Sequence, residues 1–189
     1  VWTTFTFEHG EKASEGCLVD GKPEGEWKTF YENGILKSKG SRKVFELDGL
    51  WEFYYENGTI QRRVEFEKGQ KNGKKWSYDE NGTLLTESAF KNNIQVENQR
   101  VYDPAGWLKK RIPFAAGKPH GWGREWASDG RVIALFEYDQ GRLRSTQRIN
   151  ALDDQNRKTG LWMEWNSMER KTEEGPWRAG KRHGVFKFY

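Results

Sequence analysis

One cysteine, Cys17, stands among 189 residues, which excludes an internal disulfide and leaves zinc or redox-pair chemistry without material. Cys17 reads as a small strand residue. No run of about 20 apolar residues offers a membrane span, and no cleavable leader pattern opens the chain. Val1 is not Met and falls inside what should be a first strand, so a lost leader or upstream sequence is expected. Histidine is scarce as well: His9, His120 and His183 are not spaced as metal ligands, and the last two share one slot in "GKPHG" and "GKRHG". There is no glycine-rich phosphate loop entering a helix, no Gly-x-Ser-x-Gly elbow and no His-Glu-x-x-His. An enzyme, a metal and a cofactor are therefore not expected. Blocks of one charge are missing too, since a net charge of +4 comes from interspersed Lys/Arg and Asp/Glu. That pattern reads as a solvated surface and disfavours a nucleic-acid partner.

Repetition is what the chain has. "FYENGIL" at Phe30–Leu36 returns as "YYENGTI" at Tyr54–Ile60, 24 positions later, and the same step joins Gly10, Gly34, Gly58, Gly82, Gly106 and Gly130. A second lattice runs through Gly25, Gly49, Gly73, Glu97 and Gly121 and resumes at Gly160 and Gly184. Gly121 to Gly160 spans 39 positions instead of 24, which leaves 15 residues over. A period of this length signals units too small to bury a face alone. Residues 1–189 therefore read as a single array of seven to eight units with an insertion near 142–156.

Each unit reads as a β-hairpin. Asn33-Gly34, Asn57-Gly58 and Asn81-Gly82 mark tips, and the pair type predicts a two-residue type I′ turn. After each tip, apolar residues recur at even offsets, as in Leu36, Ile60 and Val132 near the tip and Phe66, Phe90 and Tyr138 further on, which predicts one shared face. Before each tip, aromatics lie three apart (Trp27 and Phe30, Trp51 and Tyr54, Trp162 and Trp165). Either a bulge rotates one ring inward or the second ring covers the opposite face. Hydrophobic residues are only 34% of the chain while Trp, Tyr and Phe are 15%, so burial must come from a few large rings. The expected fold is all-β: an elongated single-sheet antiparallel meander of tandem 24-residue hairpins, roughly 70 Å long at about 4.8 Å per strand.

Units such as "GEWKTFYENGIL", "GLWEFYYENGTI" and "FAAGKPHGWGREW" resemble the MORN repeat, in the bacterial variant found in YwqK-like antitoxins. The resemblance runs from Gly10 to the last residue. It implies a hairpin meander, a non-enzymatic role in binding a protein partner, for the antitoxin family a cognate toxin, and a cytoplasmic location. It carries over no binding residue. An alternative is a scaffold at a membrane or envelope, with Lys22, Lys118, Arg142 and Lys181 as a basic rim for anionic lipid. Terminal strands without neighbours further predict weak self-association through their edges.

Residues off the lattice are the better candidates for function, because lattice residues serve the scaffold. Trp107 follows a tip glycine where other units carry Glu11, Ile35 or Thr59, and Trp122 stands where others have Glu26, Lys74 or Asn98. Both are candidate partner anchors, against the simpler reading that each ring packs on a neighbouring strand. The insertion contributes Arg142, Arg144 and Arg148, suited to bidentate contacts with carboxylates or phosphates, and the pair Asp153 and Asp154. It is expected to project as an extra hairpin, with Ile149 and Leu152 as its small apolar part, and to be dispensable for folding.

Overall fold

The structure, a computed structural model, describes residues 1–189 and holds strands and turns without a helix. The chain divides into two compact units, residues 1–107 with 114–118, and residues 108–113 with 119–189. In the first unit β1 (Trp2–Thr6), β2 (Lys12–Val19), β3 (Lys22–Phe30), β4 (Leu36–Lys43), β5 (Glu46–Tyr54), β6 (Ile60–Glu67), β7 (Gln70–Tyr78), β8 (Leu84–Lys91) and β9 (Ile94–Tyr102) follow one another in space in chain order. Each is antiparallel to the one before. β10 (Leu108–Ala115) and β11 (Lys118–Pro119) carry residues of both units. The second unit continues with β12 (Gly121–Trp126), β13 (Val132–Asp139), β14 (Arg142–Arg148), β15 (Ala151–Leu152), β16 (Lys158–Trp165), β17 (Lys171–Arg178), β18 (Lys181–Arg182) and β19 (Lys187–Phe188). β12, β13 and β14 pair in order, and a separate sheet runs β15-β16-β17-β18 with β19 also on β17.

The turn chemistry differs from expectation in an informative way. At the tips only the glycine has positive φ, 80° at Gly34 and 86° at Gly58. Tyr31 N–H donates to Ile35 O and Gly34 N–H to Tyr31 O, which makes a three-residue loop ending in a left-handed bulge residue instead of a type I′ turn. The asparagine serves another purpose. Asn33 Oδ1 accepts the Ile35 N–H, and Asn57 Oδ1 accepts the Thr59 N–H while its Nδ2 donates to Glu80 O at 3.0 Å. Tyr31 and Tyr55 hydroxyls reach Tyr54 O and Tyr78 O in the same direction, so each of these two tips is bonded to the one that follows. The repeated "YENG" is thus a stacking device between units. Two consecutive positive φ values occur at the opposite ends, as in Asp20-Gly21, Lys68-Gly69 and Gln140-Gly141. The second lattice marks bulges: Gly25 and Gly49 lie at register shifts, and Glu97 keeps the left-handed conformation of that slot at φ 59°.

The aromatics three apart cover opposite faces, as odd spacing on a strand requires. Trp27 lies over Gly16 and Trp51 over Gly40, so closely that a β-carbon on either glycine would enter the ring. Trp51 also donates its indole N–H to Ser41 O and faces Val64 across the strands. On the other face Tyr54 bonds Glu52, which is gripped by Lys39 and Arg63 at 2.9 and 2.8 Å. Burial pushes the Glu52 carboxyl up, but hydrogen bonds from Lys39, Tyr54 and Arg63 outweigh it and bring it down to about 2. The even-offset rule fails near the tips. In β13, Val132 packs with Trp126 and Leu135, whereas Ala134 and Phe136 are buried outside that cluster. A register shift between β12 and β13 at Trp126 reverses the parity there.

The insertion is not a projecting hairpin. Arg142–Arg148 is a regular strand paired along β13, and the chain then turns inward. Ile149 is 3% exposed and Asn150 4% exposed. Ile149 joins Val132 and Met163 at the centre of the second unit, with Trp126, Leu135, Leu161 and Trp165 around them. Asn150 closes the edge of β16: its backbone N–H donates to Leu161 O at 2.8 Å, while its side-chain amide donates to Met163 O and accepts from Met163 N. The Arg131 guanidinium holds the Asn150 carbonyl. One asparagine in the left-handed region, φ 53°, thereby performs the hydrogen bonding of a missing strand.

Candidate functional site

The reversal at Asn150 brings the β16–β17 hairpin onto one face of β10, β12 and β13. Arg111 makes two bonds of 2.5 Å to the Glu169 carboxylate in the β16–β17 tip, and Arg124 adds a contact at 3.4 Å. The Arg111 bond holds Glu169 below the usual carboxylate range, while burial lowers the Arg124 guanidinium. Beside this clasp lies a cleft of about 320 Å³. Trp122 and Trp165 form its aromatic walls, Leu135 and Met163 its apolar floor, and Arg124, Gln147 and Lys171 its polar lining. Arg124 stands 5.0 Å from the centre of the Trp165 ring. Trp122 is 53% exposed, on a strand whose next residue, Gly123, is buried. A large ring left half in water beside an apolar floor, with cations at its edge, has the make-up of a protein-contact surface.

A larger hollow of about 440 Å³ opens at the tips of the first unit among Phe7, Tyr31 and Glu56. Its walls belong to the tip-to-tip bonding described above, through Tyr31 and Asn33. It is a consequence of the repeat and not a departure from it.

Of the residues singled out in the sequence, the structure brings only Trp122 to the cleft. Trp107 is half-buried in a tip loop of the first unit, where its carbonyl accepts the Asp103 N–H. Arg142, Arg144 and Arg148 are exposed along β14, the strand that also supplies Gln147 to the cleft. Arg144 pairs with Asp139 at 2.7 Å. The two adjacent carboxylates part ways: Asp154 is exposed, and Asp153 accepts the Gln155 and Arg157 N–H groups and the Arg157 guanidinium. The Arg157 backbone bond foremost holds Asp153 below its ordinary value. It caps a turn. No three His, Cys, Asp or Glu side chains converge as metal ligands would. Sequence reasoning missed Leu135, Met163, Trp165 and Lys171 as cleft residues. One signal for them was present: "VIALF" at Val132–Phe136 is apolar at odd and even positions, the mark of a strand covered on both faces.

The family profile described as the MORN repeat variant matches residues 23–43 and 47–68. Both stretches lie in the first unit and coincide with the β3–β4 and β5–β6 hairpins. No curated protein matches the chain. At these two hairpins the chain is similar to the MORN repeat variant, and as a whole it is a repeat protein of tandem β-hairpins.

Proposed function

We propose that this chain is a non-enzymatic repeat scaffold that binds a protein partner through the cleft of its second unit. The observation that carries the reading is Trp122, exposed beside an apolar floor and two cationic side chains at the one place where the repeat is broken. MORN repeats often bind membrane or protein partners, which is consistent with such a role. A toxin neutralised by this chain would be one such partner, a reading that rests on the resemblance to antitoxins. The test is site-specific photo-crosslinking in the source cell. A photoreactive residue at Trp122 should give an adduct with one discrete protein, and the same residue at Lys28 in the first unit should not. Adducts of equal yield from both positions, or lipid adducts alone, would overturn the proposal, the latter in favour of a membrane scaffold.

A further inference from the structure

The break in the repeat creates two strand edges that no full-length strand covers, and the chain treats them differently. β16 is flanked by β17 on one side, and on the other by β15 and Asn150, whose backbone and amide occupy Leu161 O, Met163 O and Met163 N. β14 is paired with β13 alone and is the last strand of its sheet. Nothing comparable to Asn150 covers its outer side. Six of its seven residues are exposed, including Leu143 at 54%. Unlike β1, β14 lies inside the chain, so its open edge does not depend on where the sequence begins. An exposed edge is a template for pairing with another chain.

The charge on that edge selects what can pair with it. β14 carries Arg142, Arg144 and Arg148 and no carboxylate. Asp139 engages Arg144, while Arg142 and Arg148 form no ion pair. A second copy of β14 would set arginine against arginine, which like charges on facing strands disfavour. A lipid headgroup could meet the arginines but not the row of strand N–H and C=O groups. An acidic extended polypeptide satisfies both. Gln147 belongs to β14 and lines the cleft, so a strand laid along this edge would bring one face of its side chains to Trp122, Trp165 and Met163.

We propose that the outer edge of β14 accepts an acidic, extended segment of the partner as an added β-strand, with an apolar side chain of that segment seated in the cleft. This deepens the reading of the cleft as a protein-binding site and rests on it. The probe is an octapeptide alternating glutamate and valine, compared with its lysine–valine counterpart and with a glutamate–valine version N-methylated at alternate residues on either register. Binding is read by titration and by amide hydrogen exchange of the whole chain. The glutamate peptide should slow exchange in residues 142–148 and bind about tenfold or more tightly than the lysine peptide. N-methylation on the pairing register should remove binding, because it deletes the donors a strand needs. Combined Arg142→Glu and Arg148→Glu should reverse the charge preference without altering the circular dichroism spectrum. Absence of protection in β14, or equal binding of all N-methylated forms, would overturn the proposal. Crosslinking from position 122 together with an unprotected β14 would sink this inference and leave the cleft reading intact. Protection of β14 without any protein adduct from position 122 would overturn the cleft reading and with it the seating of a partner side chain there.

Discussion

In the first unit, β2 to β8 each have a neighbouring strand on both edges, and the tips at Tyr31 and Tyr55 are each bonded to the tip that follows. In the second, β14 and β16 are successive long strands with no full strand between them, and a side chain substitutes for the absent one. Both are built from the same hairpin chemistry. The regular unit lays Trp27 and Trp51 over glycines and sets ion pairs such as those of Glu52 on the opposite face, while Val44, Leu50 and Ile94 remain exposed along it. The broken unit buries both faces of β13 and has residual apolar surface where two layers meet, at Trp122 and the floor beside it. A departure of 15 residues in the lattice is what separates a scaffold from a scaffold with a cleft.

Removing that departure should have the largest effect. Joining Gly141 to Arg157 deletes Ile149 and Asn150, and the lost burial and the three orphaned backbone groups of β16 should destabilise the second unit by about 5 kcal/mol. Thermal unfolding should then show the second unit melting before the first. A spectrum and midpoint equal to wild type would restore the view of the segment as an appendage. In the first unit, Gly40→Val should cost about 3 kcal/mol by expelling the Trp51 ring, measured as a shift of the denaturant midpoint, whereas Thr59→Val, which removes hydroxyl bonds to Asn57 and to Glu80 of the next tip, should cost about 1 kcal/mol.

These sites also show how far the sequence could be read. The hairpins, the absence of helix and the tip positions followed from glycine spacing, because a left-handed residue is required once per loop whatever the partners. Which face each ring covers did not follow, since a bulge at the tip reverses parity without a residue type of its own. The cleft was legible only at Trp122, which breaks the lattice on its own strand. Met163, Trp165 and Lys171 belong to strands that follow the turn at Asn150, and a buried asparagine looks like any loop asparagine until its amide is seen on Met163.

Acid acts more gently and on both units, since hydrogen bonds from Lys171 and Tyr189 hold Glu174 of the second down to about 2 just as Glu52 is held in the first. The folded-state value of Glu52 is depressed from 4.5 to about 2, so its contribution is fully present above pH 4.5 and is lost as the pH falls towards 2. With its side chain 13% exposed, the expected loss is on the order of 2 kcal/mol in the first unit. Glu52→Gln should flatten that part of the stability profile, and an unchanged slope would remove Glu52 as its source. The smallest effect is expected at the cleft itself. Trp122→Ala should change the unfolding free energy by less than about 0.5 kcal/mol while weakening partner binding, and a stability loss several times larger would make Trp122 a packing residue.

The claim that the asparagine edge cap builds the second unit is tested most directly by residue-resolved hydrogen exchange on Asn150→Ala. Loss of the two side-chain hydrogen bonds to Met163, with alanine left at a φ of 53°, should accelerate exchange in β16 and β17 by roughly 100-fold, equivalent to about 3 kcal/mol, with β3 to β8 unchanged. Unaltered protection in β16 and β17, or equal acceleration in both units, would contradict it.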